Sequence, residues 1–245
     1  MSRNRKKKLV AAKQDKPVVI EPVQKARKEL VAKTNNQQTL IDSINTNTIT
    51  FCEGPAGSGK THISIGMGVN YLRRKIVSKI VLSRPIMQVD EDLGYLPGTA
   101  DEKLHPFLLP ILDELRSYAN KIEVDNWRKD GTIEICPLAL MRGRNFHNSF
   151  IIVDEAQNCT YKQLQMALTR VGRESIMVVN GDSAQTDLWK TKQGGLTYYM
   201  RALEGLDSIG VVQLTNDDVI RNPLISKMLD RLAIYGRLNP IPGNN

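Results

Sequence analysis

Cysteine is scarce in this chain of 245 residues, and Cys52, Cys136 and Cys159 stand far apart with no CxxC pair. An odd, dispersed set excludes a disulfide framework and fits buried, inert thiols in a reducing compartment. Histidine is equally sparse. His62, His105 and His147 share no metal-ligand spacing with one another or with the cysteines, which argues against a zinc site. No run approaches the roughly 18 apolar residues of a membrane span, and the N-terminus has no apolar stretch of the signal-peptide kind. The expectation is a cytoplasmic protein with one globular domain, long enough to bury a core. No internal repeat is present.

Charge of one sign is also missing from most of the chain. The formal net charge is +8, but residues 1–33 carry eleven Lys/Arg against Asp15, Glu21 and Glu29. That stretch holds the whole excess, and the remaining residues balance. The sequence therefore divides into a basic, disorder-prone arm at 1–33, a globular unit at 34–238 and a short tail at 239–245. The arm reads equally as a solubility tail or as an electrostatic attractor for phosphate backbones.

What is abundant is glycine in one place. Residues 51–61 read FCEGPAGSGKT, directly after the β-branched Thr48, Ile49 and Thr50. Glycines at 54, 57 and 59 can turn at positive φ, so that backbone N–H groups converge on an anion at a helix N-terminus. Lys60 adds a mobile cation, and Thr61 adds a hydroxyl able to ligate Mg²⁺. The run from Gly54 to Thr61 matches the phosphate-loop pattern G-x-x-x-x-G-K-[ST]. A plain helix-capping turn would explain the glycines but not Lys60-Thr61 behind Gly59. The candidate nucleotide-binding residues are Gly54, Pro55, Ala56, Gly57, Ser58, Gly59, Lys60, Thr61 and His62, with ATP and Mg²⁺ as the implied ligands.

Six β-rich runs, at 48–53, 77–83, 132–138, 150–154, 176–180 and 211–214, alternate with longer helical or irregular stretches. Most are continuously apolar, as strands covered on both faces are. The expected fold is a three-layer α/β P-loop NTPase of the RecA or helicase type, with a mostly parallel sheet between helices. The long stretch 86–131 is expected to carry its own helix, since Leu108, Leu109, Ile111, Leu112 and Leu115 recur at helical spacing after Pro106.

FIIVDEAQN, at 150–158, is the second strong signal. A buried strand ends in two carboxylates at the sheet edge where ligands bind in open α/β folds. Asp154 is placed to reach Mg²⁺, and Glu155 to polarise the water attacking a γ-phosphate. An acidic helix cap is the plainer alternative, but the spacing behind a phosphate loop favours chemistry. In NGDSAQTD, Asp182 and Gln185 sit where a polar group could sense the γ-phosphate. The G-D-x-x-Q spacing resembles motif III of superfamily 1 helicases. Gln37, ahead of the loop, resembles a glutamine that reads the adenine edge.

The stretches TNNQQTLIDSI, GPAGSGKT, LSRP, LGYLPGTADEKLHPFLLPILD, PLALMRGRNF, FIIVDEAQN, MALTRVG, GDSAQTDL and DVIRNPLI, in that order, resemble the PhoH-like ATPase family from about residue 34 to residue 237. The resemblance implies an ATPase core akin to one superfamily 1 helicase domain and a role in RNA metabolism. It adds no attached nuclease or RNA-binding module. A bacterial or bacteriophage source would suit so short a form. The expected partners are RNA or single-stranded DNA and no membrane. Arg84, Arg142 and Arg144 are candidate nucleic-acid contacts, with salt bridges to nearby acids as the alternative for Arg142 and Arg144.

The expected catalytic set is Lys60, Glu155, Gln185 and Arg221, with Thr61 and Asp154 on the metal. A tandem helicase closes two such domains on one nucleotide, and this chain has room for one. Either it does not translocate or, as expected here, it forms a homo-oligomer, possibly a hexameric ring. Arg221 would then be a finger reaching a neighbour, and Arg170 and Arg173 its substitutes; a salt bridge to Asp217 or Asp218 is the plainer role. Slow hydrolysis in a nucleotide-gated binding module is the alternative function. A small-molecule kinase is disfavoured because Glu155 would waste ATP on water.

Overall fold

The computed structural model describes residues 29–85, 100–186 and 194–220, together with positions 228, 231, 234 and 235. A six-stranded, wholly parallel sheet forms the centre: β1 Ile49–Glu53, β2 Lys79–Ser83, β3 Ile133–Ile135, β4 Ser149–Val153, β5 Ile176–Gly181 and β6 Ile209–Gln213. The spatial order is β3-β2-β4-β5-β1-β6. The helices are α1 Asn35–Thr46, α2 Lys60–Arg73, α3 Ala100–Tyr118, α4 Lys121–Lys129, α5 Tyr161–Leu168 and α6 Leu196–Leu203.

Successive strand residues point to opposite faces, and both faces are covered, which is why the strands read as unbroken apolar runs. Along β4, Phe150 and Ile152 join the core formed with α1 to α4. Ile151 and Val153 join the core formed with α5 and α6. The same alternation runs through Ile80, Val81 and Leu82 of β2 and through Met177, Val178 and Val179 of β5. Cys52, Cys136 and Cys159 are free and buried. Burial pushes the Cys52 and Cys159 thiols up to about 12, so neither is a thiolate at neutral pH.

Three boundaries differ from the sequence reading. β3 stops at Ile135, because Pro137 cannot donate to a ladder and Leu138–Met141 turns into a 3-10 helix. β6 begins at Ile209 and includes Gly210, where a Cβ would collide with Ser43 Oγ of α1. Glycine lowers strand propensity, yet here it lets a helix approach the sheet. Finally, the helix expected after Pro106 starts earlier, at Ala100, and a second helix, α4, follows it.

Candidate active site

The strand order creates the site. β1 and β4 are separated only by β5, so their C-terminal ends stand roughly 10 Å apart, two strand spacings. The phosphate loop leaves β1 and the acidic pair leaves β4. Gly181 and Asp182 floor the gap between them. A cavity of about 370 Å³ opens there, lined among others by Lys60, Thr61, Asp154, Glu155 and Gln185.

Gly59 caps α2 at φ 93°, a left-handed conformation that a side chain would strain, and Gly57 has φ 84°. Lys60 Nζ donates to the carbonyls of Gly54 at 2.6 Å and Pro55 at 3.0 Å, lying over its own loop. Thr61 Oγ1 donates to Asp154 Oδ1 at 2.9 Å, joining the two motifs. Asp154 is buried. Burial pushes its carboxyl above the ordinary value, and neighbouring Glu155 adds to this; Arg84, Thr61 and Asn180 oppose it. A buried carboxylate bonded to a hydroxyl, in a cavity that an ammonium also lines, fits a divalent cation with an attached triphosphate. The glycine cradle fits the phosphates. Thr61 and Asp154 would hold the metal.

Glu155 adopts φ 56°, ψ 39°, a left-handed backbone that costs a non-glycine residue about 1 kcal/mol. Its Oε1 accepts from Arg84 Nη2 at 2.7 Å and its Oε2 from Gln157 Nε2 at 2.6 Å. Gln157 carries no sequence signal of its own, although it stands two residues beyond Glu155. It is buried, and its Oε1 accepts from the Asp182 N–H at 3.0 Å, so it ties the ends of β4 and β5 together. Asp182 caps the following turn through Ala184 N–H, and Gln185 is exposed at the cavity.

Other expected residues are placed differently. Gln37 is 4% exposed; its amide nitrogen donates to Ser58 O at 2.9 Å and its oxygen accepts from Lys33 N–H at 2.9 Å. In this arrangement it braces the phosphate loop from beneath through Ser58. His62 lines the cavity, but its Nδ1 pairs with Glu114 Oε1 and its Nε2 with the Tyr118 hydroxyl at 2.7 Å, so its ring fastens α2 to α3. Neither Glu114 nor Tyr118 carries a motif that would have identified it.

Arg144 pairs with Glu134 at 2.5 Å and lies over the Phe146 ring at 4.8 Å, which favours the salt-bridge alternative. Arg142 is exposed. The Arg170 guanidinium is used on Met166 O, Arg144 O and Thr169 Oγ1. Arg221 and the LGYLPG stretch lie outside the described residues. Asp218 is buried and accepts from Thr34 Oγ1, from Asn36 Nδ2 at 2.9 Å and from Thr215 N–H at 2.6 Å. It is an anchor for the start of α1.

A family model described as "PhoH-like protein" matches residues 29–233. A "PhoH-like protein" of Mycobacterium tuberculosis (strain ATCC 25618 / H37Rv) is 42% identical over 208 residues, 85% of this chain and 59% of that protein. "Protein PhoH" of Escherichia coli (strain K12) is 37% identical over 202 residues, 82% of this chain and 57% of that one. The chain thus spans about three-fifths of the length of these relatives. Among solved structures, the large terminase of a thermophilic bacteriophage superposes with a TM-score of 0.51 at 10% identity, over 81% of this chain and 50% of that chain. At that identity the likeness concerns the fold alone.

Proposed function

Taking as premise that the chain belongs to the PhoH-like protein family, we propose that it is a Mg²⁺-dependent ATPase that couples hydrolysis to remodelling of RNA or single-stranded DNA. The observation that carries the reading is the Thr61–Asp154 hydrogen bond at 2.9 Å, with Lys60 on one side and Glu155 on the other. Loop N–H groups and Lys60 bind the phosphates, and Thr61 and Asp154 orient the metal. A Mg²⁺ held by Thr61 and Asp154 would supply neutralisation of the phosphate charge. Glu155 accepts a proton from the attacking water, and Gln185, exposed at the cavity, is assigned as the γ-phosphate sensor.

A nucleic-acid partner is supported by the eight-charge excess of residues 1–33 and by cationic groups at the sheet's C-terminal edge. A ring-shaped homo-oligomer, with Arg221 serving a neighbouring site, belongs to the same reading. The Arg84–Glu155 pair favours one variant of it, in which hydrolysis is slow until nucleic acid binds.

Steady-state ATP hydrolysis, with and without poly(U) RNA and oligo(dT), tests the proposal. Mg²⁺-dependent turnover raised by at least one polymer is expected. No hydrolysis under either condition would remove the enzymatic reading.

A further inference from the structure

Glu155 is the one acid in the cavity whose role requires it to take a proton from water, and both its carboxylate oxygens are held by neighbouring side chains. Arg84 directly follows β2. Strands β2 and β4 pair in parallel with Ser83 opposite Val153, and Asp154 N–H donates to Ser83 O at 2.9 Å. The register therefore sets Arg84 beside Asp154, and the left-handed turn at Glu155 brings the next carboxylate onto the guanidinium at 2.7 Å. Gln157 holds the second oxygen at 2.6 Å and is itself locked by Asp182 N–H. The two holders differ in kind. Gln157 is buried, whereas the Arg84 side chain is 24% exposed at the sheet edge and its partner Glu155 37%. Of the two contacts, the one from Arg84 is open to a ligand arriving from solvent.

We propose that Arg84 is a positioning residue that holds Glu155 in its resting conformation, and that a phosphodiester of a bound single strand frees Glu155 by taking over the Arg84 guanidinium. This rests on the reading of the chain as an ATPase acting on nucleic acid. The chemistry favours such an exchange. A guanidinium presents a planar fork that matches phosphate oxygens bidentately, so a polymer phosphate can replace a carboxylate without leaving the cation unpaired. Release also changes what the strained Glu155 backbone is held by, since one of its two side-chain tethers is lost. The step involves no covalent change: one ion pair is exchanged for another, and Glu155 becomes available to the attacking water.

The test is the ATPase of Arg84→Ala and Arg84→Lys, each measured with and without poly(U) and oligo(dT), alongside a fluorescent-ATP binding titration. For Arg84→Ala, polymer-free kcat should rise roughly fivefold, the factor expected from releasing a partly exposed ion pair. Its stimulation by polymer should fall to about onefold, with ATP affinity unchanged. Arg84→Lys, which keeps the charge but loses the fork, should fall between. A purely structural role would instead lower kcat with and without polymer alike, and that result overturns the proposal. So does Arg84→Ala that keeps the wild-type stimulation factor, which would leave the function itself standing. Wild type that hydrolyses ATP but responds to neither polymer would overturn the nucleic-acid reading and the trigger with it.

Discussion

At the scale of single residues, Lys60 and Glu155 both line the cavity but are separable by what they lose. Lys60 Nζ rests on two loop carbonyls that sit at the mouth of the glycine cradle. Lys60→Ala should weaken ATP binding by at least tenfold, because the β- and γ-phosphates lose their cation, and a binding titration reads this directly. Glu155→Gln keeps the side-chain shape and spares Thr61 and Asp154, so ATP should stay bound while turnover falls at least a hundredfold, the ordinary worth of a general base. Turnover at the wild-type rate in Glu155→Gln would mean that another group activates water. Gln37 offers a third contrast. Because its amide braces Ser58 from below, Gln37→Ala should weaken ATP and GTP binding alike, by several-fold. A selective loss of ATP over GTP would instead support the adenine-reading role.

At the scale of elements, the start of α1 is fastened to the segment after β6 through one carboxylate. Asp218 accepts from Thr34, Asn36 and Thr215, and Ile220 N–H reaches Gly57 O at 3.4 Å, so the same segment also borders the phosphate loop. Burial alone would push the Asp218 carboxyl up, but the hydrogen bonds from Thr215, Thr34 and Asn36 outweigh it and hold the group below its ordinary value. A carboxyl depressed in the folded state stabilises above its unfolded value and loses that contribution as pH falls through the folded one. Asp218→Asn should therefore cost about 2 kcal/mol at pH 7, the scale of a charged hydrogen bond. The difference in melting temperature between wild type and variant should shrink below about pH 4, as the carboxyl takes up its proton. A constant difference across pH would assign the effect to packing. The same region shows what could be read from sequence and what could not. The strands were legible because most are continuously apolar and packed on both faces, and the phosphate loop because Lys60 and Thr61 directly follow its glycines. Asp218 as an anchor, Gln37 as a brace and the Arg84–Glu155 pair were not legible. Each joins residues 21 to 184 positions apart, and only the strand order brings them together.

At the scale of the whole molecule, the described residues form one sheet with one phosphate loop, and Lys60 is the cation that they bring to the cavity from that loop. We propose that a further cation reaches the site from Arg221 of a neighbouring copy. An arginine completing a phosphoryl-transfer site typically contributes ~10³–10⁵ in rate. Arg221→Ala should therefore cut kcat by at least a hundredfold while ATP binding changes less than threefold. Whether the residue serves its own site or a neighbour's is a separate matter, and Ile220, which touches the chain's own Gly57, makes the distinction worth measuring. Mixing inactive Arg221→Ala subunits with inactive Lys60→Ala subunits decides it. If Arg221 acts across an interface, some contacts in the mixture pair an intact phosphate loop with an intact arginine, and ATPase activity partly returns. In an own-site arrangement no subunit of the mixture is complete, so none returns. Sedimentation in the presence of ATP establishes that the two variants co-assemble. Silence from co-assembled subunits, or a monomer at every concentration, would overturn the shared site.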